Sequence, residues 1–287
     1  MKNFSKTFFL LILTMVFLIS CTDVIQTRDT VATSIAPYHE FTSAVAGDRF
    51  ETIVLLKPGS DPHSWEPRPS EAKTLATSRL VIVNGAGLEP WASRMLQITE
   101  AGVLEAANYS DLITFEHEED HEEEDHEEIH EEDSHEEGHE EEGHEEEGHD
   151  HGPIDPHLWL DFGNDMKIVT AIKERLSEIH PNESAYFEEN AAVYTARLQR
   201  LDWDYSEGLR DCKHTKIIIA GHSAFGYLAR RYNLTQIALE GLSPDAEPSP
   251  RKVAEIIDIA EQEGINYIFF ESVVDPRVSS ALEAETG

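Results

Sequence analysis

The chain has 287 residues, of which 57 are acidic and 22 are basic, so its formal net charge at pH 7 is −35. This acidic composition argues against a nucleic-acid-binding protein and is typical of a protein that meets cations. After a short N-terminal leader and a histidine-rich and acidic tract, both described below, are set aside, the remaining length is enough for one large domain or two smaller ones.

The first twenty residues are predicted to be a processing signal. Two lysines precede an apolar run at 8–19, which is too short to span a bilayer. The ending Leu-Ile-Ser-Cys resembles a bacterial lipoprotein signal, so we expect Cys21 to be lipidated; an ordinary secretory peptide is the alternative. Cys212 would then be the one remaining cysteine, which leaves no intrachain disulfide and no thiolate metal site.

Short apolar runs alternate with helical patterns before residue 116. The predicted strands are 31–35, 52–56, 80–83 and 112–115, and the predicted helices are 38–46, 70–77 and 91–97.

A tract rich in histidine and acid follows, at 116–150. It holds 22 of the 57 acidic residues and no lysine or arginine, and we expect a solvated, mobile insertion because it cannot bury enough apolar surface to fold. Imidazole is a common ligand for zinc-like metals. The tract and its edge therefore offer accessory, weak metal ligands: His117, His121, His126, His130, His135, His139, His144, His149 and His151.

The alternation resumes after the tract. An apolar stripe from Val169 predicts a helix that Pro181 ends, and a longer helix is predicted at 183–209. Further predicted elements are strands 216–220, 236–239 and 266–270 and helices 224–232 and 250–263, the last with Ser249 as its N-cap.

Alternating strands and helices indicate mainly parallel sheets flanked by helices. We therefore expect an α/β protein of two lobes joined by one long rigid helix. The predicted divisions are a signal peptide at 1–20, an N-terminal lobe at 21–181 that includes the insertion at 116–151, a linking helix at 182–210 and a C-terminal lobe at 211–287.

Three histidines outside the tract lie in distinctive local sequence. His63 and His222 follow predicted strands, where open α/β sheets place their ligands, and His157 lies in Asp-Pro-His-Leu-Trp-Leu-Asp. Proline before His63 and His157 restricts those loops and lowers the cost of ordering a ligand. Each alone could be an ordinary loop or core histidine, but together they predict a metal site. His39 is a candidate near that site, whereas His180 and His214 have ordinary surroundings.

These residues lie in longer motifs, at 34–37 (SIAP), 58–67 (PGSDPHSWEP), 83–91 (VNGAGLEPW), 155–161 (DPHLWLD), 222–232 (HSAFGYLARRY) and 241–249 (GLSPDAEPS). With them the chain resembles the zinc-type metal-binding solute receptors of ABC transporters, from about residue 31 to residue 287. The resemblance implies two α/β lobes, a rigid connecting helix and a metal between the lobes.

The resemblance also implies that His63, His157 and His222 are the metal ligands. Manganese-type relatives have a carboxylate at the position of His222, and three imidazoles favour zinc over the harder manganese ion. The family's fourth position falls beyond Gly287, so we expect the sequence to be truncated there, and Glu247 or a water is a candidate fourth ligand.

The resulting expectation is a high-affinity receptor, not an enzyme, that captures Zn²⁺ outside the cytoplasm and delivers it to an ABC permease. We expect a monomer that is anchored to the membrane by its lipid, or is periplasmic, and does not bind nucleic acid. The alternatives are a zinc buffer or chaperone that acts through the tract, a zinc hydrolase with Glu66 as its base, and an adhesin-like lipoprotein.

Overall fold

The computed structural model describes residues 28–114, 154–242 and 249–271. Cys21, the tract with His151, and Glu247 lie outside these ranges. Among the helices in these ranges, none combines the length and the apolar character that crossing a bilayer requires.

The first sheet has four parallel strands, in the order β2-β1-β3-β4. They are β1 Asp29–Thr33, β2 Phe50–Val54, β3 Leu80–Val83 and β4 Gly102–Glu105. All four residues of β3 are buried, as its unbroken Leu-Val-Ile-Val sequence requires of a strand covered on both faces.

Helices cover both faces of this sheet. They are α1 Ala36–Ala46, α2 Pro69–Thr77, α3 Ala92–Met95 and α4 Phe162–Ile179, with 3₁₀ turns at Leu96–Ile98, Ala106–Tyr109, Leu158–Leu160 and Pro181–Glu183. One core packs α1 and α4 against the sheet around Tyr38 and Ile172, and the other packs Leu75 and Trp91 against the opposite face.

A 26-residue helix, α5 Ser184–Leu209, follows. At 1.5 Å per residue it is about 39 Å long. Phe187, Ala191 and Leu198 form its buried face, which packs on the first lobe, whereas Leu201, three residues further along, is 43% exposed.

The second sheet is also parallel, in the order β6-β5-β7. Its strands are β5 Lys216–Ala220, β6 Thr235–Ala238 and β7 Ile268–Phe270, and its helices are α6 Gly226–Arg231 and α7 Pro250–Glu263. The predicted N-cap is confirmed, because Ser249 Oγ accepts a hydrogen bond from Lys252 N at 3.2 Å.

The predicted fold class is confirmed: two α/β lobes with parallel sheets are joined by one long helix. The strand predicted at 112–115 was wrong, because within the described residues this segment makes only an isolated bridge between Thr114 and Ile154. The edge strand β4 takes its place in the sheet. The predicted division into domains stays a prediction.

Candidate metal centre

His63 lies in a loop that follows β2, and its own neighbours shape that loop. The Asp61 carboxylate accepts hydrogen bonds from His63 N at 3.0 Å and from Ser64 Oγ at 2.9 Å, which closes a tight turn around the histidine. Gly59, with φ of 81°, supplies the left-handed residue at the start of the loop. The His63 ring is buried as a result.

His157 lies in the segment Asp155-Pro156-His157. Asp155 Oδ1 accepts a hydrogen bond from His157 N at 2.9 Å and lies 2.8 Å from His157 Nδ1. Because an ionised carboxylate only accepts hydrogen bonds, Nδ1 carries the hydrogen and Nε2 presents a lone pair. Burial lowers the pKa of His157 below its usual value, against the opposing effect of Asp155, so the ring is neutral at pH 7.

His222 lies two residues after β5, and the residue that holds it comes from the adjacent strand. Glu271 follows β7 directly and accepts hydrogen bonds from His222 N at 2.7 Å and from Nδ1 at 2.9 Å. Gly221 leaves room for this contact, because a side-chain carbon there would overlap the Glu271 carboxylate. The same tautomer therefore results as at His157, with Nε2 directed away from the carboxylate.

The structure brings the three predicted histidines together. One nitrogen of each lies within 4.8 Å of one nitrogen of the others, and Nε2 of His157 is 3.1 Å from Nε2 of His222. Two nitrogen ligands of a tetrahedral zinc at its usual bond length are roughly 3.3 Å apart. Two lone pairs that face each other at this distance repel, and a cation between them converts the repulsion into two bonds.

The charge of the surroundings suits a divalent cation. Asp155 and Glu271 are buried or nearly so and lie directly behind the imidazole rings of His157 and His222. Neither carboxylate forms an ion pair with lysine or arginine within the described residues, so the pair would balance a charge of +2. Carboxylates behind ligand histidines also raise the basicity of those histidines.

The remaining candidate residues lie elsewhere. His39 Nε2 is 3.4 Å from Thr52 Oγ1 and is not part of the cluster. His180 stacks on Phe50 and contacts Asp29, and His214 is exposed. Glu247 and the accessory histidines fall outside the described residues.

The sequence did not reveal the residues that hold these histidines. Asp155 is two residues from His157, and that spacing could have suggested its role. Glu271 is 49 residues from His222, and only the pairing of β5 with β7 brings the two together. Asn84, which contacts the backbone next to His157, carried no signal beyond its place in a motif.

The chain is similar over most of its length to a known protein family and to several named relatives. Residues 31–287 match the family described as zinc-uptake complex component A, periplasmic (ZnuA). The chain is 32% identical over 278 residues to the zinc-binding lipoprotein AdcA of Streptococcus pneumoniae, which covers 94% of this chain and 51% of AdcA. It is 33% identical over 260 residues to the high-affinity zinc uptake system protein ZnuA of Bacillus subtilis, covering 90% and 75% of the two chains.

The chain thus spans about half the length of AdcA. Among solved structures, a crystal structure of ZnuA matches with a TM-score of 0.73 and 26% identity, over 91% of this chain and 89% of that one. The matched family is described as a component of an uptake complex and not as an enzyme, which confirms the prediction that the chain is not an enzyme. From the match over residues 31–287, this chain belongs to the ZnuA family.

Proposed function

We propose that the chain is a zinc receptor that captures Zn²⁺ outside the cytoplasm with His63, His157 and His222 and delivers it to an ABC permease. The observation that carries this proposal is the pair of Nε2 atoms of His157 and His222, 3.1 Å apart, each backed by a carboxylate. The names of the relatives, a zinc-binding lipoprotein and a zinc uptake protein, support the choice of zinc.

Zinc is favoured over manganese by the donor set. Three imidazole nitrogens suit zinc, whereas manganese prefers carboxylate and water oxygens. The acidic carboxylates here bond to the histidines instead of facing the cluster. A carboxylate from Glu247 or a water would complete four ligands. Below about pH 6 protons compete for the imidazoles, so affinity falls with falling pH.

The proposed location is the outer face of the cytoplasmic membrane, through a lipid on Cys21. This follows from the signal-like N-terminus and from the relative named a lipoprotein. A monomer is proposed.

The tract is proposed as an accessory collector of zinc. Its flanks are joined by the bridge between Thr114 and Ile154 and by the hydrogen bond from Asp155 N to Ile113 O, at 2.8 Å. Thr114, before the tract, therefore lies beside Ile154, which follows the tract and precedes His157 by three residues. Weak ligands tethered there would raise the zinc concentration near the cluster.

Replacing His63, His157 and His222 together by Ala should abolish nanomolar zinc binding, because the sequence of the tract predicts only weak accessory ligands. The measurement is competition with a chromophoric zinc chelator, followed by uptake of radioactive zinc in cells that carry each variant. A matched triple variant at His39, His180 and His214 should keep wild-type affinity. Nanomolar binding that persists in the first variant would contradict the assignment.

A further inference from the structure

The segment that carries His157 is held from the first sheet by one buried side chain. Asn84 directly follows β3 and is 0% exposed. Its Nδ2 donates to the carbonyl oxygens of Gly85 and Pro156, both at 2.8 Å. Pro156 immediately precedes His157, so this contact fixes the backbone from which the ligand projects.

The orientation of the Asn84 amide follows from its partners. Carbonyl oxygens only accept hydrogen bonds, so the NH₂ group must face Gly85 and Pro156. Asn84 Oδ1 then faces the Tyr38 hydroxyl, which donates to it. Burial raises the pKa of Tyr38 well above its usual value, so the hydroxyl keeps its proton at any relevant pH.

The Asn84 backbone is fixed as well. Glu89 Oε1 accepts from Asn84 N at 2.8 Å, and Glu89 Oε2 accepts from Gly85 N at 3.1 Å. The Asn84 carbonyl accepts from Ala107 N at 2.9 Å. The amide therefore cannot move to follow the His157 segment, and its position defines where that segment lies.

The opposite side of the same segment is held by the second lobe. The Tyr227 hydroxyl, from α6, donates to the carbonyl oxygen of Asp155 at 2.8 Å and accepts from Ile113 N at 3.1 Å. The residue before it, Gly226, has no room for a side-chain carbon, which would lie 2.6 Å from Asp155 Oδ2. The His157 segment is thus held between Asn84 and Tyr227.

From these contacts we infer that Asn84 is a positioning residue of the metal centre: it sets the place of His157 through the Pro156 carbonyl and thereby the affinity for zinc. This inference rests on the proposed function, since it assigns a role to Asn84 within the same site. No side chain other than an amide of this length both accepts from Tyr38 and donates to Pro156.

The test is Asn84→Asp in the full chain. The new carboxylate places an acceptor against the Pro156 carbonyl, and the repulsion displaces the His157 segment. We expect zinc affinity to fall by about 10-fold to 100-fold, as for other residues that orient metal ligands. The d–d absorption of bound Co²⁺ should also change in position or intensity, which a loss of stability alone would not cause.

Asn164→Asp is the matched control. Asn164 is also buried, and its Oδ1 accepts a hydrogen bond from the backbone of another loop, from Asp111 N at 2.8 Å. This variant should keep wild-type zinc affinity within about threefold and an unchanged Co²⁺ spectrum. Equal losses of affinity in the two variants would overturn the inference.

Tyr38→Phe gives a milder second test, which holds even if Asn84→Asp fails to fold. It removes the donor to Asn84 Oδ1 and leaves the ring in place, so a smaller loss of affinity and a shifted Co²⁺ spectrum are expected. Wild-type affinity and spectrum in this variant would overturn the inference. The wild-type titration separates the two proposals: if the wild type lacks tight binding, the proposed function fails, whereas tight wild-type binding with no effect of these variants rejects only the role of Asn84.

Discussion

Asp155 and Glu271 each hold one histidine by two of its atoms. Each carboxylate accepts from the backbone N and from Nδ1 of the same residue, so it fixes the place of the main chain and the tautomer of the ring together. A ligand held at both ends loses little entropy when it binds a metal. At the proposed site, the carboxylates would thereby contribute to zinc affinity without contacting the ion.

Gly221→Ala tests this role without altering a ligand or a carboxylate. The added carbon would overlap the end of the Glu271 side chain, which is flexible, so Glu271 should move away from His222 while the backbone stays. We expect zinc affinity to fall by about 10-fold. The measurement is chelator competition, with Gly241→Ala as the control, because nothing lies within 4 Å of the carbon added there. Wild-type affinity in Gly221→Ala would contradict a role for Glu271.

The sequence could indicate the three histidines because each lies beside a local signal, a strand end or a proline. Asp61 and Asp155 are sequence neighbours of the histidines that they hold, but Glu271 and Asn84 reach the site only through contacts between distant segments. Asn84 reaches Pro156 across 72 positions, and its amide could equally have capped a turn of its own. Local pattern thus indicates the three histidines, whereas contacts between segments that are distant in sequence decide much of what holds His157 and His222 in place.

Elements from both lobes meet at Arg231, at the end of α6. Arg231 binds Asp202 of α5 with two hydrogen bonds, at 2.7 and 2.6 Å, and also binds Asp161, the N-cap of α4, at 2.9 Å. The guanidinium fork suits this two-sided contact. The long helix is thereby fixed to the second lobe near its C-terminal end and to the first lobe along its N-terminal half.

Asp202→Asn should lower the free energy of unfolding by about 1 kcal/mol, because the pair is partly exposed and is screened by solvent. Arg231 holds the pKa of Asp202 below its usual value, so this contribution is present at neutral pH and is lost as the pH falls through that lowered pKa. Urea unfolding at pH 7 in the presence of a chelator measures it. Asp204→Asn, on the same helix, should cost much less, because its pair with Arg200 is more exposed; equal costs would contradict the role of the junction.

Most helices and strands could be predicted from periodicity, but β4 could not. Its sequence, Gly-Val-Leu-Glu, is short, and Val103 is 38% exposed, so the apolar signal is weak. The segment at 112–115 has a stronger apolar pattern but lies beside the junction of the lobes, where Ile113 bonds to Asp155 and Tyr227. The backbone N and O of Ile113 form these tertiary hydrogen bonds, so they are not available to pair with a neighbouring strand.

In the molecule as a whole, the tract and the three-histidine cluster are proposed as two separate places where the chain binds zinc. The bridge between Thr114 and Ile154 joins the two segments that flank the tract, so we expect both lobes to fold without the residues between them. Each of the two lobes has a hydrophobic core made of described residues.

Deleting residues 116–150 should leave one tight zinc site and remove the weak ones. The four residues that remain between Thr114 and Ile154 can form a hairpin turn, so the bridge should survive. Titration calorimetry should show one tight equivalent in both proteins and a weak phase only in the full chain. A variant with the tract histidines changed to Gln separates imidazole from carboxylate binding. Loss of the tight equivalent on deletion would favour the buffer or chaperone alternative.

The three histidines come from chain positions 94 and 65 residues apart, so the proposed tight site forms only when both lobes have folded. A ligand that binds the native state alone adds its binding free energy to that of unfolding, about 4 kcal/mol at a thousand times its dissociation constant. The loaded protein therefore resists heat and proteolysis longer than the empty one. If the proposed function holds, zinc supply would set how long each copy of the protein lasts, and zinc scarcity would lower the number of intact copies.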